Sequence, residues 1–570
     1  MLIMWKSTIF TLFLYMLSQI IVAQNYHPGT EELLASGLPL VYIETEGGVE
    51  PTCEAVQAPE GYMGIGITNK TKVPSRMIIT KGKELLYDSG EYEKDVSGLL
   101  LSIRGNTSAS LSHKVPYKLK LQKKADLLFR GDRVYNDKEW GLLKCEGGKF
   151  LNSLVGFKVN EMAGLQWTPR FVYVNVVIND DYKGVYMLME TVKDSKARLS
   201  VDKNSGYIIE YDAYWWNEDL SLSEGKFYKW NKMRYTFKYP DSDDITQEQM
   251  DFIQGRVEEM EKSIIIGNYE QQIDVSSFAS WLIAHDILGV LDGCGSNIFL
   301  TLYNSEMETK FQMGNIWDMD GIEQTEDNWA AIHYMYGFYF EWLFRSENKL
   351  FMDIYKNEWN ELSPILVGEM NSFLDKFSTS KEGRGLEACM KYDAKRWWYA
   401  SGTLSAEIEK NKLWFKNRKA WLDEHTVNIY SPWKIYTATF DNVCAWEKVY
   451  AYAWYKDGDF VQKPLGDWPG VKLNKNEETG LYDVIIEAAR IPQWIVFNDG
   501  TIDDSIEAVN KTGTYKFVND KLFIGNNSDA IQNIQQKNQR DSIIYNMNGL
   551  RVKNAVKGLY ILNGKVILVK

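Results

Sequence analysis

Residues 291–321 read LDGCGSNIFLTLYNSEMETKFQMGNIWDMDG. Asp292 and Asn297 stand five positions apart, strand-like runs at 297–303 and 310–316 form a hairpin, and Trp317-Asp318-Met319-Asp320-Gly321 closes the segment. Transfer of a phosphoryl group needs a carboxylate beside the attacking hydroxyl and oxygen ligands that hold a divalent metal against the phosphates. An Asp, an Asn and further Asp residues arranged around a short hairpin supply those residue types. Asp, Asn and Gly also favour turns for purely local reasons, so the spacing by itself leaves a structural reading open.

Upstream, Ser102-Ile103-Arg104-Gly105-Asn106-Thr107-Ser108 ends a strand in a small, hydroxyl-rich turn, and a basic strand with Lys118 and Lys120 follows. Such a turn can present backbone N–H groups to phosphate, and a strand lysine can neutralise it. Side chains alternate along a strand, so Lys118 and Lys120 share a face; an exposed basic edge strand would look the same. Residues 149–164 have apolar positions at helical spacing and a glycine stop. Residues 171–178 and 184–190 predict two strands of a hairpin, and residues 38–105 predict further short strands between Gly and Asp-Ser-Gly turns. Downstream, helical periodicity marks 247–265, 276–290, 334–344, 357–377 and 404–424. A β-rich part followed by a helical part predicts two lobes with a cleft between them.

Near Ser431-Pro432 the composition changes to short aromatic-rich strands. Tyr450, Tyr452 and Trp454 lie two apart, which puts three rings on one strand face, and Trp468-Pro469-Gly470 follows. Residues 519–540 are polar and read as a linker; residues 541–570 are short β segments.

The net charge of −13 argues against a nucleic-acid partner, because phosphate backbones require a basic stripe. Five scattered cysteines and five histidines show no zinc spacing and no disulfide framework. Residues 1–24 have Lys6, an apolar run from Thr8 to Val22 and Ala23 at a cleavage position, the layout of a signal peptide. The expected product is exported to the periplasm, cell surface or exterior, with no membrane span after cleavage.

The stretches LPLVYIET, IRGNTS followed by KVPYKLKL, LNSLVGFKV, GLQWTPRFVYVNVVINDDYKGVYMLMET and the Asp-Asn-Trp-Asp-Met-Asp segment resemble the CotH family of spore-coat-type protein kinases, from about residue 38 to at least 345. Protein kinases carry an Asp and an Asn five apart on the catalytic loop, with a metal-binding Asp after a short hairpin. The resemblance implies an atypical kinase-like fold, ATP with Mg²⁺ or Mn²⁺, and phosphorylation of protein hydroxyls on an unnamed protein substrate. By position it makes Asp292 the catalytic carboxylate, Asn297 a catalytic-loop and metal residue, Asp318 the main metal ligand and Asp320 its support. Arg104, Asn106, Ser108 and Lys118 or Lys120 would meet the ATP phosphates, and Glu190 would sit where a hinge meets adenine. The family commonly has Pro before the Trp-Asp, where this chain has Ile316, and its Trp or Lys after the Asn-Thr-Ser turn is poorly matched.

Residues 434–518 resemble starch-binding modules of family 26, which stack Tyr and Trp on α-glucans such as starch. Tyr450, Tyr452 and Trp468 are expected to face the glucan, with Trp454 in the core. The last thirty residues look like the C-terminal sorting segments of Bacteroidetes exported proteins, although an ordinary hairpin accounts for them as well. The expected fold is α+β: a β-sandwich-like N-terminal segment (25–100), a two-lobe atypical kinase-like domain (101–430), an all-β sandwich module (434–518), a linker (519–540) and a C-terminal β segment (541–570). Two functions compete: a secreted protein kinase with an α-glucan-binding module, and a non-catalytic surface glycan-binding protein whose kinase-like domain is scaffold. A glycan hydrolase ranks below both, because the carboxylates lie in a metal-loop context rather than across a sugar cleft.

Overall fold

The computed structural model describes residues 26–62, 64–110, 112–225, 233–290, 296–305, 310–322, 324, 338–345, 348–399, 402–427, 434–442, 445–457, 460–488, 492, 494–501, 505–509, 521–524, 544–546, 551–552, 558–562 and 565–569. These fall into two compact units, 1–428 and 429–570. Asp292, the signal-like segment 1–24 and most of the linker 519–540 lie outside the described residues.

In the first unit the alternating apolar runs become β1 (Leu40–Thr45), β2 (Glu54–Gln57), β3 (Ile65–Thr68), β4 (Val73–Lys81), β5 (Glu84–Asp88), β6 (Leu99–Ile103), β7 (Tyr117–Ala125), β8 (Asp137–Lys144), β9 (Phe171–Ile178) and β10 (Asp181–Glu190). β1 pairs in parallel with β9 and antiparallel with β4. The path β1-β9-β10-β8-β7-β6-β4 therefore returns to its start, with β5 added on β4. Period-two alternation fills the inside of this ring with one face of every strand, including Ile43, Met77, Leu101, Leu119, Trp140, Val176 and Leu188. Residues 25–100, expected as a piece ahead of the main domain, supply β1, β4 and the start of β6 to the ring, with β5 added at β4. Their apolar faces are buried only once β7 to β10 complete it.

β11 (Tyr207–Asp212), β12 (Arg234–Tyr239), β13 (Ile298–Leu302) and β14 (Gln312–Met313) form a second sheet, in the order β12-β11-β13-β14. The helices are α1 (Thr30–Ala35), α2 (Thr107–Ser110), α3 (Asn152–Met162), α4 (Gln247–Ile266), α5 (Val275–Leu288), α6 (Phe340–Arg345), α7 (Leu350–Thr379), α8 (Lys381–Trp397) and α9 (Leu404–Val427). α4 begins at a capping box made by Thr246 and Gln249. Met189 on the outside of the ring, Phe157 of α3, Phe299 of β13 and Trp317 pack into one cluster. That cluster fixes the ring against the second sheet, and the loops bearing Asn297 and Asp318 emerge beside it. The three described cysteines, Cys53, Cys145 and Cys389, are unbridged. No described helix is long and apolar enough to cross a membrane.

The second unit contains β15 (Lys434–Phe440), β16 (Val449–Asp457), β17 (Phe460–Gln462), β18 (Val471–Leu473), β19 (Tyr482–Ala488), β20 (Trp494–Asn498), β21 (Ser505–Val509) and β22 (Lys521–Ile524). They make a β19-β15-β22 sheet and a β17-β16-β20-β21 sheet, with β18 also on β16. Residues from both sheets share one core, in which Phe440 stacks on Phe497 with ring centroids 4.7 Å apart. β23 (Ile544–Asn546), β24 (Arg551–Val552), β25 (Gly558–Leu562) and β26 (Lys565–Val569) form a separate four-stranded sheet.

Candidate functional site

Residues 313–317 and Met319 are buried or half-buried, yet Asp318 between them is exposed. Its backbone is left-handed, with φ 56° and ψ 76°. Asn297, at the start of β13, is also left-handed, with φ 63°. Asn and Asp tolerate this region better than other side chains, and isolated non-glycine residues held there often mark functional sites. Asn297 Nδ2 lies 3.5 Å from Asp318 Oδ2. The structure thus brings together two of the expected residues from either side of the hairpin. Asp320 lies in the short turn Met319–Gly321, and its side chain is outside the described residues.

The Asp318 loop is gripped at both ends by one face of α3. Asn160, fully buried, accepts a hydrogen bond from Ile316 N at 2.9 Å. It also donates to Trp167 O (3.0 Å) and Thr168 Oγ1 (2.8 Å), locking its amide orientation. Asn152 donates from Nδ2 to Met319 O (3.1 Å) and Ile322 O (3.3 Å). Between them Gly156 leaves room for Met319: a Cβ there would lie 2.5 Å from Met319 Sδ. The N-terminal end of α3 is held by Glu407 of α9, which accepts from Leu151 N at 3.2 Å.

Burial raises the Glu407 carboxyl to about 7, although the Leu151 N–H, Lys410 and the Phe150 and Gly148 N–H groups pull the other way. The folded state therefore keeps a proton that the unfolded chain has already released, so Glu407 costs stability progressively as pH rises from the ordinary carboxyl range to about 7. Glu407→Gln should be the more stable protein above pH 7, by up to about 3 kcal/mol, with the advantage shrinking by pH 5. Thermal unfolding of both proteins at the two pH values checks this; parallel pH profiles would contradict it.

Beneath Asn297 lies an acid cluster that sequence reasoning missed. Glu210 accepts from Asn297 N (3.1 Å) and pairs with Lys238 Nζ (2.6 Å). Burial pulls the Lys238 ammonium down, but Glu210, Glu218 and Asp212 outweigh it and hold it protonated. Burial pushes Asp212 up to about 7, with Glu210 adding to the rise. Asp212 accepts from Tyr214 N (2.8 Å) and Ser296 Oγ (3.1 Å). Glu210 and Asp212 sit two apart in Tyr207–Asp212, so both project to one face.

Arg104 enters from the ring side. Its Nη1 is shielded from solvent and has no hydrogen-bond partner. Burial lowers its pKa, while Asp318 and Glu210 counteract the loss. Its guanidinium lies 5.7 Å from the Trp317 ring centroid. Asn106 and Ser108 are half-buried in the adjacent turn, where Ala109 N and Ser110 N donate to Asn106 O at 3.0 Å. Thr107 in the same turn is hydrogen-bonded to Tyr214 OH, which ties it to the segment after β11. Lys118 and Lys120 project from the outer face of β7, and Lys118 Nζ pairs with Glu139 Oε2 at 2.9 Å. Glu190 is placed differently from the other expected residues. Its carboxylate is buried and accepts from Arg130 Nη1 (2.7 Å) and Arg170 N (3.0 Å). These partners leave its side chain occupied within the protein; a hinge contact there would have to come from the backbone.

In the second unit, Tyr450, Tyr452 and Trp454 share the β16 face turned away from the sandwich core, together with Trp468, Trp494 and Val496. Tyr452 and Trp454 are themselves covered. Trp468 meets Tyr452 edge-on at 5.5 Å, and Trp494 stacks on Trp454 at 5.6 Å. Tyr450, Trp468 and Trp494 remain half-exposed. The loop carrying Trp468 is held by Asn498 Nδ2 donating to Pro469 O at 3.1 Å. Gly470 lets it approach β16, since a Cβ there would lie 1.9 Å from Ala451 O. Trp494 was not anticipated as an accessible ring.

The family model described as CotH kinase protein matches residues 101–422, more than half of the chain. The model described as starch-binding module 26 matches residues 438–505. No curated protein matches the chain.

Proposed function

The chain belongs to the CotH kinase protein family, and from that premise we infer that it is an exported phosphotransferase that moves the γ-phosphoryl group of ATP to a protein hydroxyl while its starch-binding module holds α-glucan. The observation that carries this reading is the exposed carboxylate of Asp318, held left-handed between buried neighbours and beside Asn297. Among the described residues no group of three or more His, Cys, Asp and Glu side chains could hold a metal unaided. Mg²⁺ in nucleotide sites uses one or two carboxylates together with phosphate oxygens and water. The hard oxygen donors of Asp318 and Asn297 therefore fit an ion that arrives with its nucleotide. The unsatisfied Arg104 Nη1 fits a phosphate oxygen, whereas Lys118 would first have to leave its ion pair with Glu139 to serve as a second cation. When bound, metal–ATP supplies the activated phosphoryl group. Asp318 and Asn297 orient it, and Arg104 balances its charge. Asp292, five residues before Asn297, is assigned the hydroxyl proton, and residues 1–24 direct export.

Purified full-length protein with Mn²⁺ and labelled ATP tests the reading. Nucleotide binding and label transfer are expected. Amylopectin binding with neither of them would instead identify a glycan-binding protein on a kinase-like scaffold. For the module, Trp468→Ala is expected to weaken retention in amylopectin gels by more than about tenfold, because it removes an accessible ring and uncovers Tyr452. Unchanged migration would exclude Trp468 from the glucan site.

A further inference from the structure

We propose that Asn152, Gly156 and Asn160 form a positioning rail that sets the metal-binding geometry of Asp318. The inference rests on the kinase reading and deepens it. The three residues recur every four positions, so they line one face of α3. The two asparagines are buried, at 4% and 0% exposure, and grip the loop before and after Asp318. Burying two carboxamides among apolar neighbours is costly unless their hydrogen bonds are made. Both spend those bonds on the backbone of residues 316–322 or on the anchor at 167–168. The upstream grip uses the amide N–H of Ile316, a donor that proline at this position would lack. Ile316 thus brings a tether of its own. Gly156 completes the device by seating Met319, so that the exposed side chain between the two grips is Asp318.

These are positioning residues, and their mark is metal affinity rather than fold stability. Mn²⁺ binding to the full chain with β,γ-imido-ATP, read by the electron paramagnetic resonance signal of free Mn²⁺, reports it without turnover. Asn160→Ala and Gly156→Ala should each weaken Mn²⁺ binding by about tenfold. Gly156→Ala gains helix propensity, which offsets part of the cost of the Met319 clash. Adding Met319→Ala to Gly156→Ala removes the clash and should recover most of the loss. Wild-type Mn²⁺ affinity in both single variants, even with lowered thermal stability, would reduce the rail to a structural contact and overturn the proposal. Absence of Mn²⁺ binding in the wild type would overturn the kinase reading itself and the rail with it.

Discussion

Asp318→Asn is expected to lower metal-dependent phosphoryl transfer by more than about a hundredfold while leaving thermal unfolding nearly unchanged. Asp318 is exposed, so the near-isosteric change leaves no cavity, and Glu210 still offsets the buried Arg104 guanidinium that Asp318 also faces. Asn tolerates φ 56° about as well as Asp does, which keeps the loop conformation. The substitution therefore tests mainly a negative oxygen donor for a divalent cation, with a smaller effect through the neighbouring Arg104. Ala at the same position would add a left-handed backbone penalty of about 1–2 kcal/mol and blur the comparison. Asp212→Asn makes a useful contrast. Its carboxyl is buried and its partners are protein groups, so its effect should appear in stability. Transfer rates at saturating Mn²⁺, set beside calorimetric unfolding, separate the two. Full transfer by Asp318→Asn would remove Asp318 from the metal site.

The ring strands were legible where their alternation is regular: YKLKL in β7 puts apolar residues on one face and lysines on the other, whereas LVYIET in β1 buries Leu40 as well as Val41 and Ile43. Closure of the ring was not legible. It depends on β1 meeting both β4 and the distant β9, and local pattern carries no information about such partners. α8 escaped notice for a different reason. KEGRGLEACMKYDAKRW is polar and places Gly383 and Gly385 in its first turns, which lowers helix propensity. Packing explains the glycines: a Cβ on Gly385 would press within 3.0 Å of Leu38. The nearness of Asn297 and Asp318 was an expectation of the family resemblance, since spacing alone left them as ordinary turn residues. Glu210 and Asp212 were visible in principle as two acids on one face of an otherwise apolar strand. Glu190 could not be resolved from sequence, since its partner Arg130 lies sixty residues away. The aromatic row of β16 was readable by period, but which rings stay accessible depends on the loop that Asn498 folds over them.

Asp393→Ala is expected to destabilise the first unit by roughly 3–5 kcal/mol, the largest stability loss among these substitutions. Lys114 and Asp393 are 4% and 0% exposed and lie 2.6 Å apart. Asp393 joins α8 to the ring: Oδ1 also accepts from Val185 N (2.6 Å), and Oδ2 accepts from Tyr399 OH. Lys114 donates in addition to Val185 O at 2.8 Å and to Cys145 O. Removing Asp393 leaves an ammonium in a dry site with two carbonyls and the Tyr186 ring but no counter-charge at hand, and strips Val185 N and Tyr399 of their acceptor. Lys114→Met should cost less, because Asp393 keeps two donors. Combined Lys114→Met and Asp393→Leu should cost less than Asp393→Ala alone, since a buried pair exchanged for apolar groups loses its desolvation penalty together with its attraction. The chain has two units, so calorimetry should follow the transition of residues 1–428 rather than assume a single step. A double variant as unstable as the sum of its singles would mean that the pair acts through independent contacts. Lys114 also lies between the turn at 104–108 and β7, so a loosened pair should weaken nucleotide binding before the unit melts.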